Sequence, residues 1–250
     1  MIRDWHNKTV WLIGASSGIG HELACQLSDL GADLILSSRR EKPLQDLVSR
    51  LGTQHTVLCF DVCFDTAVEE AFEQIKHRHI DSIIFLAGAY EPGHIADMSY
   101  DTQFDIINTN LNGAINVSRH SIALYHQQGK GQIAIYGSVA GYRGLEMGQP
   151  YSASKAALIN FAESLYLEQT KHQIDVKLIN SGFVNTPLTQ KNQFKMPMML
   201  STESAARSII KGLGRAAFEI HFPKKFTFLM KLLRLLPNRM YFWLAGKMYS

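Results

Sequence analysis

Tyr151 and Lys155 stand four residues apart in "YSASK", directly after Pro150 and at the start of a helical pattern. At that spacing a phenol and an ammonium share one face of a helix. A free tyrosine has a pKa of about 10 and relays protons poorly at neutral pH. An adjacent positive charge favours the phenolate, and a fall of roughly two or three units would suit general acid/base work. The competing reading is a buried tyrosine beside a lysine whose stem lies along the core. A chain with nine tyrosines meets this spacing by chance often enough that the pair alone decides nothing.

The elements that must position the pair are legible as alternating runs. "TVWLIGA" (9–15), "DLILSS" (33–38), "TVLCFDV" (56–62), "DSIIFLAG" (81–88), "GQIAIYGS" (131–138), "DVKLINSGF" (175–183) and "FEIHFP" (218–223) read as strands. Several are almost continuously apolar, as strands buried on both faces are. Helical patterns cover 20–30, 42–51, 66–77, 101–127, 151–171 and 202–215. Strand–helix alternation implies right-handed crossovers and a parallel sheet covered on both sides. The expected fold is therefore α/β, a doubly wound Rossmann-type sheet of seven strands. Without a linker or a composition break, residues 1–223 read as one domain, followed by a helical extension over 224–250.

The first strand runs into "GASSGIG", with Gly14, Ser16, Ser17, Gly18, Ile19 and Gly20, and then into a helix. Glycines there permit a tight turn and a close approach of backbone amides to a pyrophosphate at a helix N-terminus. The second strand ends in Ser38, Arg39 and Arg40. A site built for NAD would carry a carboxylate at this point, facing the ribose 2′-OH. Two guanidinium forks suit a 2′-phosphate instead, so NADP is expected ahead of NAD. Asp61 and Val62 end the third strand, where Asp61 would meet the adenine.

Taken in order, these motifs resemble those of the classical short-chain dehydrogenase/reductase family over about residues 8–223. "GASSGIG" is similar to its cofactor loop. "LAG" (86–88), with Ala87 and Gly88, resembles its segment after the fourth strand. "NTNLNG" (108–113) carries the family's helix asparagine at Asn110. Ser138 stands thirteen residues before Tyr151, and "NSGFVNTP" (180–187), with Val184 and Thr186, resembles the stretch beside the nicotinamide. The chain departs from the family at Ile13, Phe85, Leu86 and Ser181. The first three alter the bracing of the loops, and Ser181, where proline is usual, is expected to loosen the stretch beside the nicotinamide.

The resemblance implies roles. Tyr151 would be the acid/base, its pKa lowered by Lys155 and by the positive nicotinamide of the oxidised cofactor. Ser138 would hold the substrate oxygen, Lys155 would also grip the nicotinamide ribose, and Asn110 would anchor a relay water. Hydride transfer belongs to the cofactor. The expected activity is reduction of a carbonyl, or oxidation of a secondary alcohol, on an apolar or lipid-like small molecule. The resemblance also implies a homodimer or homotetramer built on the helices over 101–127 and 151–171.

Composition narrows the alternatives. A net charge of +3 over 250 residues gives no reason to expect nucleic acid. Cys25, Cys59 and Cys63 lack metal or redox spacing and point to the reducing cytoplasm, with Cys59 expected as a buried thiol. The ten histidines show no metal-ligand spacing; His77 and His79 read as solvated residues at a helix end. No secretory leader is expected, since the first strand begins near Thr9. Met196, Met198, Met199 and Leu200 fall in the expected lid, about 186–200, where they either line an apolar pocket or close the lid on the core.

From Phe218 onward Lys224, Lys225, Lys231, Arg234, Arg239 and Lys247 face a single acid, Glu219. That segment reads as helices broken at Pro237, mostly apolar, with a thin basic stripe at Lys231 and Arg234. Charges and Pro237 interrupt any run long enough to span a bilayer. A cap over the substrate pocket or a subunit contact is the preferred reading. The other is peripheral contact with a membrane, at its inner surface. Two further functions compete with the enzyme: a non-catalytic dinucleotide-binding sensor or scaffold, and a nucleotide-sugar epimerase, disfavoured by its glycine spacing and the short chain.

Overall fold

Trp11 and Leu12 are neighbours in sequence and both are fully buried, on opposite faces of one sheet. Side chains alternate along a strand, so burying both requires cover on both faces. The same alternation runs through the sheet. Ile83, Phe85, Ile133 and Ile135 join Trp11 in one core, while Val10, Ile84, Ala134 and Ile179 join Leu12 in the other.

The computed structural model describes residues 1–52, 54–192 and 194–249, without the side chains of Met248 and Tyr249. Gln193 in the expected lid and Ser250 at the end of the expected extension lie outside the described residues. The strands are β1 (Thr9–Ile13), β2 (Asp33–Ser37), β3 (Thr56–Val57), β4 (Ser82–Phe85), β5 (Gly131–Tyr136), β6 (Ile174–Ser181) and β7 (Glu219–Phe222). All neighbouring pairs are parallel, in the order β3-β2-β1-β4-β5-β6-β7. Strand order reverses between β1 and β4, and such a switch point opens a crevice at the carboxyl ends of the strands.

Helices α1 (Gly18–Asp29), α2 (Glu41–Leu51) and α7 (Thr202–Leu213) bury Leu23, Leu44 and Ile209 in Leu12's core. Helices α3 (Asp65–Ile75), α5 (Gly113–Gln128) and α6 (Tyr151–Gln169) bury Phe72, Val117 and Leu158 in Trp11's core. The pattern read as one helix over 101–127 divides into α4 (Tyr100–Ile107), a π-helical turn (Asn108–Asn112) and α5. No glycine or proline inside 101–112 forewarns of that break. It coincides with Asn110, whose side chain is captured by other elements.

The third strand is shorter than its apolar run. Leu58 N still donates to Leu36 O at 3.0 Å, but pairing then ends at the sheet edge. Cys59 is exposed there, which corrects its expected burial; Cys25 and Cys63 are half-buried, and all three are free thiols.

After β7 come α8 (Lys224–Leu235) and α9 (Asn238–Tyr249), with the chain turning at Pro237. Met230, Phe226 and Leu233 pack α8 against the core. Lys231 does not belong to a solvent-facing stripe, contrary to expectation: its ammonium pairs with Glu219 of β7. Arg234 is exposed.

Candidate active site

Gly14 follows β1 with φ +104° and Gly18 opens α1 with φ +57°, a region that L side chains rarely adopt. Space makes the same demand. A Cβ on Gly14 would lie 2.6 Å from Ala87 N, and one on Gly20 would lie 2.2 Å from Gly14 O. The loop is thereby folded against the residues after β4, and Leu86 N donates to Ile13 O at 2.7 Å. Ser17 precedes α1 without capping it through its side chain, and Ile19 is buried under the loop. From the far side Thr186 reaches in, its Cγ2 3.3 Å from where a Gly18 Cβ would sit. This cradle fits a dinucleotide: bare backbone surrounds a helix N-terminus, where a pyrophosphate is stabilised.

Arg40 stands beside this loop, donating from Nη2 to Ser16 Oγ at 3.1 Å, with its own N–H held by Ser38 Oγ. Arg39 lies 4.0 Å from Asp61 and 3.8 Å from Asp105 in exposed ion pairs. Such pairs contribute little and exchange readily for a phosphate. Asp61 also accepts from Cys63 N at 3.0 Å, which fixes the turn after β3. Val62 is buried against Gly113, whose added Cβ would lie 2.6 Å from it.

Asn110, fully buried, is the tie among three segments. Its Oδ1 accepts from Ala89 N at 2.7 Å, and its Nδ2 donates to Ala89 O and to Ser154 Oγ at 3.0 Å. A Cβ on Gly88 would come within 3.3 Å of the same amide. The loop after β4 and the first turn of α6 are thus set by one side chain, and α6 begins with Tyr151.

Ser138 ends β5's excursion and is 8% exposed; its Oγ accepts from Ala140 N. Burial pushes the Tyr151 phenol up to about 12, while a hydrogen bond with Ser138 acts in the opposite direction. This corrects the expected fall for the protein alone. The phenol's own burial is the main reason, and Lys155 does not offset it. Its amine is 2% exposed and burial brings it down to about 7, so the positive charge that was to favour a phenolate is itself disfavoured. Lys155 Nζ donates to Tyr136 O at 2.7 Å and lies 5.6 Å from the ring centres of both Tyr136 and Tyr151.

The departure at Ser181 has a partner. Tyr136 Oη donates to Ser181 Oγ at 2.6 Å, and Ser181 is buried. The stretch following β6 is therefore anchored, contrary to the expected loosening. It continues through buried Val184, which bridges to Leu200, while Thr189 Oγ1 ties back to Val184 O.

Sequence reasoning did not single out Tyr90. Its ring packs edge-on against Tyr151 at 4.8 Å, and its hydroxyl donates to Asn192 Oδ1 at 2.6 Å. Lys191 adds bonds to Tyr90 O and Glu91, so the loop after β4 is latched to the segment 189–192. Tyr90's position three residues after Ala87 was the available signal. In the expected lid, Met198 and Met199 are exposed while Leu200 packs on the core.

The family model described as short chain dehydrogenase matches residues 8–196. The chain belongs to that family. An uncharacterized oxidoreductase of Myxococcus xanthus is 29% identical over 242 residues, covering 94% of this chain and 94% of its own. The 3-oxoacyl-acyl-carrier-protein reductase of Haemophilus influenzae is 30% identical over 185 residues, 73% of this chain and 76% of its own. Among solved structures, a short-chain dehydrogenase/reductase of Burkholderia phymatum in complex with NAD superposes with a TM-score of 0.84 at 19% identity, covering 92% and 94%. One from Sphingobium yanoikuyae in complex with NADPH gives 0.79 at 21%, covering 92% and 97%. The protein is accordingly an oxidoreductase of that family, with the fold of the two solved structures.

Proposed function

We propose that this short-chain dehydrogenase is an NADP(H)-dependent carbonyl reductase, or secondary-alcohol dehydrogenase, acting on an apolar or lipid-like small molecule. The observation that carries the reading is the meeting of Ser138, Tyr151 and Lys155 beside the glycine cradle at the sheet's switch point.

When bound, NADPH supplies the hydride that reaches the carbonyl carbon. Ser138 holds the substrate oxygen by hydrogen bond. As the C–O π pair moves onto that oxygen, Tyr151 gives it the phenolic proton, and the two-electron reduction is balanced. A phenol at about 12 is protonated at neutral pH, as a proton donor must be. Lys155, near 7, is poised to hand a proton on to Tyr151. Asn110's amide is committed to Ala89 and Ser154, so a relay water there would be held by backbone atoms. Tyr90, beside Tyr151, with Met196, which meets Asn192, would contribute to the substrate wall.

NADP preference is supported by Arg39 and Arg40 at the end of β2, with Arg40 reaching the glycine loop. A homodimer or homotetramer through α4–α5 and α6 is supported by exposed Tyr100, Phe104, Tyr166 and Leu167. Free thiols at Cys25, Cys59 and Cys63 support a cytoplasmic setting. The domain reading of 1–223 with an extension stands as part of this proposal. The test is a panel of long-chain ketones, β-ketoacyl thioesters, steroids and sugars, followed by NADPH absorbance. Turnover of the apolar members sustains the reading, and turnover of sugars alone overturns the substrate class.

A further inference from the structure

Helices α8 and α9 are each amphipathic, and only one face of each is used. On α8 the inner face carries Phe226, Met230 and Leu233 into the core, and Lys231 to Glu219. The outer face leaves Phe228 at 60%, Leu232 at 48% and Leu235 at 79% exposed. On α9 Tyr241 is buried while Phe242 at 66% and Trp243 at 60% face solvent, with Met240 also exposed. Large side chains gathered in this way mark an interaction surface.

Charge identifies the occupant. Residues 220–250 contain no Asp or Glu. Lys225 shares the outer stripe of α8 with Phe228, Leu232 and Leu235, at spacings of three, four and three. Arg239 and Lys247 flank Trp243 on one stripe of α9, each four residues away, and Lys247 Nζ lies 4.0 Å from the Trp243 ring centre. A second copy of this chain, docked by the same face across a two-fold axis, would set these cations against one another. An anionic lipid surface meets both components, taking the apolar side chains below the headgroups and the cations among them. No helix among the described residues is long and apolar enough to cross a bilayer. At 12 residues, α8 is about 18 Å long against a hydrocarbon core of about 30 Å, so it can only lie in the interface.

We infer that the outer face of α8–α9 is a docking surface for a bilayer carrying anionic headgroups. The elbow between the helices is tied to the segment that follows Ser138. Arg143 Nη2 donates to Leu236 O and Asn238 Oδ1, both at 3.0 Å, its guanidinium covers the Tyr241 ring, and Tyr241 Oη donates to Gly144 O. Residues 143 and 144 lie on the segment between Ser138 and Tyr151. Docking therefore sets the membrane against the segment that joins Ser138 to Tyr151, and an apolar molecule would then reach the site from the lipid. That last consequence rests on the proposed substrate class; the docking does not.

The test titrates the full chain with vesicles of phosphatidylcholine alone and with added phosphatidylglycerol, read by flotation and by tryptophan emission. Trp5 and Trp11 are buried, so Trp243 supplies the lipid-sensitive signal. Three proteins are compared: wild type, Lys225→Gln/Arg239→Gln, and Phe228→Ser/Trp243→Ser, the last read by flotation only, each first shown to retain its thermal transition and its NADPH affinity. Wild type is expected to bind the phosphatidylglycerol vesicles with a blue-shifted emission. The charge variant should bind them about thirtyfold more weakly, at roughly fivefold per cation removed. The apolar variant should lose flotation. No binding by wild type, or undiminished binding by the apolar variant, overturns the inference. So does a lipid-free sedimentation experiment in which the apolar variant alone becomes monomeric, because the face would then be a contact between copies.

Discussion

Tyr136, at the end of β5, and Ser181, at the end of β6, are joined by a 2.6 Å hydrogen bond from the phenol to the serine hydroxyl. The same Tyr136 offers its carbonyl to Lys155 Nζ. A residue that departs from the family pattern is thus one bond away from the strand end that holds the lysine. Ser181→Ala should leave the Tyr136 hydroxyl buried without its partner, at a cost of about 1–3 kcal/mol in denaturant unfolding. Adding Tyr136→Phe should recover most of that cost. Strictly additive losses in the double-mutant cycle would contradict the pairing.

Lys155 predicts a pH dependence of stability. Its amine titrates near 7 when folded, against 10.5 in a free chain. Between those values the unfolded chain binds a proton that the folded one does not, so stability rises with pH across that window. Below about 7 both states are protonated and the penalty for burying the charge is fully present. Cofactor-free wild type should therefore gain stability relative to Lys155→Met as pH is raised from 7 toward 10. Chemical denaturation at several pH values measures this; a constant difference between the two proteins would refute it.

Cofactor choice should follow the arginines. On the proposed NADP preference, Arg40→Ala and Arg39→Ala would each remove a charge-assisted contact to the 2′-phosphate, worth about 1.5–3 kcal/mol. NADPH affinity should fall by roughly tenfold to a hundredfold while NADH affinity changes little. Calorimetric titration with both cofactors decides it, and equal losses for the two would place the arginines elsewhere.

Tyr90 should act on substrate retention more than on chemistry. Tyr90→Phe keeps the ring against Tyr151 and removes only the bond to Asn192. With about 1 kcal/mol lost from the latch, KM should rise roughly fivefold at nearly constant kcat. A fall in kcat without change in KM would instead make the Tyr90 hydroxyl part of the proton path.

The fold was legible because its signals are local. Apolar runs such as 9–15 and 131–138 announce strands, and "GASSGIG" carries its own backbone requirement at Gly14, Gly18 and Gly20. What stayed hidden depends on partners far along the chain. Tyr142 donates to Glu219, which also accepts from Asn180 and Lys231. Although burial opposes ionisation, these bonds hold the Glu219 carboxyl below its ordinary value. No spacing rule joins residues 142, 180, 219 and 231, so Lys231 read as a surface charge. Asn110 is similar: its asparagine was visible, but the π-helical turn around it depends on Ala89 and Ser154. Tyr151's upward shift was hidden for another reason, since spacing gives proximity to Lys155 but neither the burial of the phenol itself nor the burial that disfavours the lysine's own charge.

The central claim is that Tyr151 is the proton donor in an NADPH-dependent reduction. The direct measurement is NADPH oxidation by wild type and by Tyr151→Phe with an apolar ketone that the wild type turns over, alongside NADPH binding to each. The account predicts unchanged cofactor affinity and turnover reduced by about a hundredfold or more in Tyr151→Phe. Substantial turnover in that variant would contradict it, and NADPH binding without turnover of any substrate by the wild type would favour a cofactor-sensing role instead.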